Sequence, residues 1–163
     1  MTSSDDAWKA IQHTNDLIKV ADTKAGAMLA ASGVLGGMLV RALPAQNRWL
    51  VEWPHVGLLL LSTAAVSASI LLSLRVFIPR LRTDTSRSLL YFDNVARRYA
   101  RAADFVPVYR AALEDPQRLE AALAEQLWAT SRIARRKFRS VALAIWLFGA
   151  ALVIALAAGL AKP

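Results

Sequence analysis

Cysteine is absent from the 163 residues, which removes disulfide scaffolds, thiolate zinc sites and cysteine nucleophiles together. Histidine occurs only as His13 and His55, in separate segments and without a partner at the spacing a helix needs to share a metal. No pair of carboxylates clusters on a predicted helical face either, so neither a metal nor a cofactor is expected. Acidic residues are few, 12 against 20 Lys and Arg, for a net charge of +8. A nucleophile elbow, a phosphate-cradling loop and a dinucleotide fingerprint are all missing, and catalysis is not expected. The start of the chain does not read as a secretory signal: Asp5 and Asp6 stand where a basic region belongs, and the first apolar run begins too late.

What is present is grease in long blocks. The hydrophobic fraction is 56% and the mean hydropathy is +0.36, above the usage of water-facing domains. Ala25 to Val40 carries no charge and is bracketed by Lys24 and Arg41; with Ala42 and Leu43 it reaches the length of a short span. Its Gly33 and Gly37 form a small-xxx-small pair, with Ser32 and Gly36 one step behind, which lets a second helix approach closely. The alternative is a glycine-rich helix packed in a soluble core. Val56 to Leu74 is uncharged, preceded by Trp49, Trp53 and Pro54 and closed by Arg75, and Val141 to Ala161 is uncharged behind Arg132, Arg135, Arg136, Lys137 and Arg139. Lipid offers no water to backbone groups, so each run must be helical.

Of the 20 cations, fourteen lie between Arg75 and Arg139. The positive-inside rule then places this middle segment in the cytoplasm, with the N-terminus inside, the C-terminus outside, and Trp49 and Trp53 in the outer interfacial belt. The expected architecture is an all-α membrane protein: a cytoplasmic amphipathic helix (1–24), transmembrane helices at 25–43, 56–74 and 141–161, and a cytoplasmic helical region at 75–140 that forms a bundle with the helix extensions.

Trp8, Ile11, Leu17, Ile18 and Ala21 share one side of the first segment and nothing breaks it before the span, which predicts one helix from about Asp6 to about Leu43. After Pro79 a helix is predicted from about Thr85 to Ala103, with Leu89, Phe92, Val95, Ala96 and Tyr99 as its stripe. Asp115 and Pro116 make an N-cap and first-turn pair, and no breaker follows before Ala161. Continuous rods of this kind would carry a change outside the membrane into the spans.

Arginines interleaved with aromatics at Tyr91, Phe92, Arg97, Arg98, Tyr99 and Arg101 could clamp a phosphate and stack a base; packed aromatics beside a solvated charged face is the plainer reading. The basic segment could equally bind anionic lipid head groups. Nucleic acid is not expected as a partner, since no reader motif is present. Asp22 and Lys24 sit at the mouth of the first span, where unpaired charge is costly. Either Asp22 pairs with Lys19 and Lys24 snorkels, or both engage charged partners on neighbouring cytoplasmic helices, or the ligand, and so latch the gate.

Three blocks carry a family resemblance. They are Ile18 followed by Ala21-Asp22-Thr23-Lys24-Ala25-Gly26, then Tyr91-Phe92-Asp93-Asn94-Val95-Ala96, then Gln126 and Leu127 with Ser131, Ile133, Ala134 and Lys137. In this order the sequence resembles the transmembrane effectors of the Pycsar bacterial antiphage systems, although Asp93 stands where that family often has Gly. The resemblance implies an inner-membrane protein, activated by cyclic CMP or cyclic UMP from a partner cyclase, that impairs the bilayer and aborts infection; three spans are too few for a pore, so a homo-oligomer joined through the glycine- and alanine-rich spans is expected. Residue chemistry and these motif positions together give the ligand-binding candidates Tyr91, Phe92, Arg97, Arg98, Tyr99 and Arg101, and the coupling candidates Asp22, Lys24, Gln126 and Lys137. The rival is a constitutive membrane scaffold whose basic segment recruits anionic lipid or a soluble partner.

Overall fold

The computed structural model describes residues 3–45, 53–78, 89–90 and 92–161. Five helices follow one another: α1 (Ser3–Ala42), α2 (Trp53–Phe77), α3 (Phe92–Arg98), α4 (Ala102–Glu114) and α5 (Pro116–Leu160), and no strand occurs among the described residues. The protein is all-α. Three of the helices, α1, α2 and α5, are long and apolar enough to cross a membrane, with α5 the most hydrophobic. At 40 and 45 residues, α1 and α5 run to about 60 and 68 Å, twice the ~30 Å hydrocarbon core. The uninterrupted reach expected of both helices is therefore present.

Helix boundaries follow local chemistry. Trp53 and Pro54 open α2 rather than preceding it; proline is tolerated there because the first-turn N–H groups have no intrahelical acceptor. Asp115 stands extended between α4 and α5 (φ −109°, ψ 104°). Its Oδ1 accepts from the backbone N–H of Gln117 at 3.0 Å and Arg118 at 3.3 Å, while Pro116 takes the first helical position, as the sequence predicts.

One expectation fails. The single helix predicted to reach Ala103 stops at Arg98, and the chain restarts at Ala102 after an extended Arg101 (φ −130°, ψ 142°). Periodicity across 89–103 hid this break because Tyr99 does not continue the helical stripe. It turns onto Phe105 instead, with ring centroids 5.4 Å apart, and Phe105 stacks on Tyr109 at 5.3 Å. Aromatic pairs of this geometry contribute about 0.5–1.5 kcal/mol beyond their area.

The chain divides into two compact units, Ala21–Ile78 with Lys137–Pro163, and Met1–Val20 with Pro79–Arg136. The first is the membrane unit. In α2 its buried residues are His55, Val56, Leu59, Ser62, Val66, Ser69, Ser73 and Val76, a 4-3 alternation apart from Val56. On α1, Ala21, Ala25, Ser32 and Leu39 keep the same register, and on α5 it is kept by Val141, Ala144, Ala151 and Ala158. A 3.5-residue seam on each helix specifies left-handed coiled-coil packing.

The contacts along that seam are polar and regular. His55 Nδ1 lies 2.8 Å from the Ala158 carbonyl, Ser62 Oγ donates to the Ala151 carbonyl at 2.8 Å, and Ser69 Oγ donates to the Ala144 carbonyl at 2.9 Å. A carbonyl can only accept, so His55 Nδ1 carries a proton. Both helices advance seven residues per rung, in opposite directions, which makes the pair antiparallel. Alanine at each rung keeps the backbones close enough for a serine to reach across. Ser69 has spent its only proton on Ala144, so at the 3.2 Å contact between Ser32 Oγ and Ser69 Oγ it is Ser32 that donates. Gly36 faces α2, where a Cβ would sit at ordinary contact distance, 3.4 Å from Val66 Cγ1, whereas the Gly33 and Gly37 pair expected to admit a second helix has nothing within 4 Å among the described residues. Ser73 is fully buried, and its hydroxyl has no hydrogen-bond partner.

Unfolding in detergent micelles should separate these serines. Ser69→Ala removes two contacts and orphans Ser32, for a loss of about 1–2 kcal/mol. Ser73→Ala removes a hydroxyl that pays for burial without a bond, and should leave stability unchanged or raised.

Candidate functional site

The second unit carries the predicted ligand-binding residues. Tyr91 and the Phe92 side chain lie outside the described residues. On α3, Arg97 Nε meets Asp93 Oδ2 at 3.2 Å, and the Asp93 side chain is 12% exposed. One helical turn thus pins Arg97 with the acid at which this sequence departs from the family pattern, leaving its guanidinium less available to an external anion. Arg98 is exposed, with its Cζ 5.8 Å from the centre of the Tyr99 ring. Arg101 is exposed at the extended residue that starts α4. The turn at 99–101 therefore has an exposed arginine at each side, Arg98 against the Tyr99 ring and Arg101 at the start of α4. Phe105 and Tyr109 were missed by sequence reasoning, although their four-residue spacing on one helix was a usable signal.

Between α4 and α5 the same unit holds a groove of about 520 Å³, walled by Pro107, Val108, Ala112 and Ala122, with Arg118 and Glu125 at its polar positions. Arg118 is itself engaged, its Nε lying 3.2 Å from Asp115 Oδ2. Gln126, a coupling candidate, is half-buried, and its Oε1 is buried without a hydrogen-bond partner. Arg132 lies over the Trp128 ring at 4.8 Å. Among the described residues no three His, Asp or Glu side chains are grouped to hold a metal ion.

Two coupling candidates meet in the membrane unit. Lys137 Nζ on α5 donates to Asp22 Oδ1 on α1 at 2.6 Å, with side chains 23% and 35% exposed. Lys19 pairs with Asp16 at 2.9 Å, so the local Lys19–Asp22 pair is not formed and the partner of Asp22 is on another helix. Lys24 is exposed. Ala21, Ala25, Val76 and Val141 form the apolar cluster of this region, with Phe138 against it. Apolar surroundings strengthen a charge pair and make either charge expensive once its partner is removed.

Comparison with known proteins gives the arrangement a family. The sequence matches the Pycsar effector protein domain over residues 6–161, which takes in all three membrane-length helices and α3 and α4 between them. It is 53% identical over 53 residues to the Pycsar effector protein MePycTM of Micromonospora echinofusca, a stretch that covers 32% of this chain and 90% of that protein. No solved structure matches. With nearly its whole length inside one family's domain, this chain belongs to the Pycsar effector family.

Proposed function

We propose that this chain is an antiphage defence effector that senses a cyclic pyrimidine nucleotide, cyclic CMP or cyclic UMP supplied by a partner cyclase, and responds by impairing the inner membrane of the infected cell. The observation that carries the reading is the family match across residues 6–161, joined to two helices that each continue far beyond the thickness of a bilayer. The fourteen cations from Arg75 to Arg139 support a cytoplasmic location for the segment between the second and third spans, and with it a cytoplasmic N-terminus. Three spans enclose no pore of useful width, which argues for a homo-oligomer.

In this reading the nucleotide is met by the unit that contains α3 and α4. Arg98 and Arg101 are the favoured phosphate contacts because both are exposed, and Tyr99 is the favoured platform for base or ribose; Tyr91, Phe92 and Arg97 complete the candidate set. Asp22 and Lys137 act as the latch: a pair that bridges the first and third spans ties α1 to α5 and resists their relative movement. Gln126 and Lys24 are the remaining coupling candidates, Gln126 because its buried oxygen would gain a partner in a rearranged packing.

Membrane potential in cells that express the chain, followed while cyclic CMP or cyclic UMP is supplied, tests the function. Depolarisation on addition of one nucleotide is the expected result; an unchanged potential with both, from a protein that resides in the membrane, favours the scaffold. Arg98→Ala combined with Arg101→Ala should weaken nucleotide binding tenfold or more in a titration of the purified protein, with a melting temperature close to the parent's because both side chains face solvent. For the latch, Asp22→Asn and Lys137→Met should each destabilise the membrane unit, and the double variant should lose less than the sum, with a coupling of about 1–2 kcal/mol in a double-mutant cycle.

A further inference from the structure

The position of polar groups within the membrane unit restricts how any water-filled path could form. Ser32, Ser62, Ser69 and Ser73 are fully buried. Thr63 and Ser67 on α2 give their protons to carbonyls of their own helix, at Leu59 and Thr63. The surface left to lipid or to another copy is hydrocarbon, with Val34 and Met38 of α1, Leu61 and Leu71 of α2, and Val153 and Leu156 of α5 all exposed. Closed bundles set side by side would enclose gaps lined by such side chains, and an apolar constriction expels water.

One column of polar groups has the length a path needs. His55, Ser62, Ser69 and Ser73 lie on the buried face of α2 with Leu59 and Val66 between them, and the 19 residues from His55 to Ser73 rise about 27 Å, against a hydrocarbon core of ~30 Å. In the closed bundle α5 meets this face with Ala144, Ala151 and Ala158, each wholly buried, and with Val141 beyond them. Alanine buries little apolar area, so on the α5 side separation forfeits little, and the main apolar loss is the burial of Leu59 and Val66 on α2. The buried Ser73 hydroxyl, unbonded where it stands, gains a partner as soon as water enters.

We infer that the water-conducting path through this protein is the α2–α5 seam, formed when α2 comes away from α5 and turns His55, Ser62, Ser69 and Ser73 toward water. The inference rests on the proposed impairment of the membrane and adds which residues line the path and which contact must part. It places the contact that must part inside each bundle, at the rungs that hold it shut; because three spans are too few to enclose a path, the freed faces of several copies line it together.

The absence of cysteine from the chain makes the test direct. Ser69→Cys and Ser73→Cys are each reconstituted as full-length protein in dye-loaded vesicles and exposed to a cationic, membrane-impermeant methanethiosulfonate, with Leu71→Cys on the outer face as control. Ser73→Cys replaces a hydroxyl that makes no bond, so it keeps the seam testable if Ser69→Cys folds poorly. With the nucleotide that makes the parent vesicles leak, both seam thiols should react at least tenfold faster than without it, the leak should fall as they are modified, and Leu71→Cys should stay inert. Seam thiols as unreactive as Leu71→Cys in vesicles that do leak would overturn the inference and move the path to the lipid or the gaps between closed bundles. Parent vesicles that leak with neither cyclic CMP nor cyclic UMP would overturn the functional reading itself, a result distinct from a leak with silent thiols.

Discussion

Three backbone carbonyls on α5, at Ala144, Ala151 and Ala158, accept hydrogen bonds from Ser69, Ser62 and His55 of α2, and the order of the membrane unit depends on them. Inside lipid there is little hydrophobic force to choose one helix pairing over another, because lipid tails are as apolar as leucine. Direction and register must come from groups that lipid cannot satisfy. Rungs seven residues apart on both helices fix the antiparallel register, since a slip by one residue would turn every donor away from its acceptor. Ser32 then attaches α1 to the same column through Ser69, so one serine joins all three helices.

Charge is arranged by a different logic. Asp22 and Lys137 form their pair within the membrane unit, partly exposed and bridging α1 to α5. The described ion pairs of the other unit join residues three or four apart: Lys9 with Asp6 and Lys19 with Asp16 on α1, Arg97 with Asp93 on α3, and Arg118 with Asp115 at the start of α5. Surface pairs of that kind contribute little to stability. Their larger effect is on availability: Arg97 is engaged beside the 99–101 turn, whereas Arg98 and Arg101 face solvent.

The break at 99–101 shows how a sequence pattern can agree with two structures. Leu89, Phe92, Val95, Ala96 and Tyr99 suit one continuous helix, and no Gly or Pro marks an end before Pro107. At the break, non-adjacent aromatics meet instead, Tyr99 on Phe105 on Tyr109. The groove between α4 and α5 was invisible in the sequence for the same reason. Its walls come from two helices, of which one, α4, was itself not foreseen.

The linear sequence was sufficient for everything set by solvent preference and local propensity: the all-α class, three spans, the Asp115-Pro116 start of α5, the uninterrupted reach of α1 and α5, and, through its three motif blocks, the family. These features depend on runs of like residues and on near neighbours along the chain, which composition and spacing record directly. Tertiary structure alone decided that Asp22 meets Lys137 rather than Lys19, that three seven-spaced alanines receive donors from α2, and that Ser73 is buried without a partner. Each of these brings together residues distant in sequence, and which faces meet is settled by the register of packed helices, a collective property that no single segment encodes.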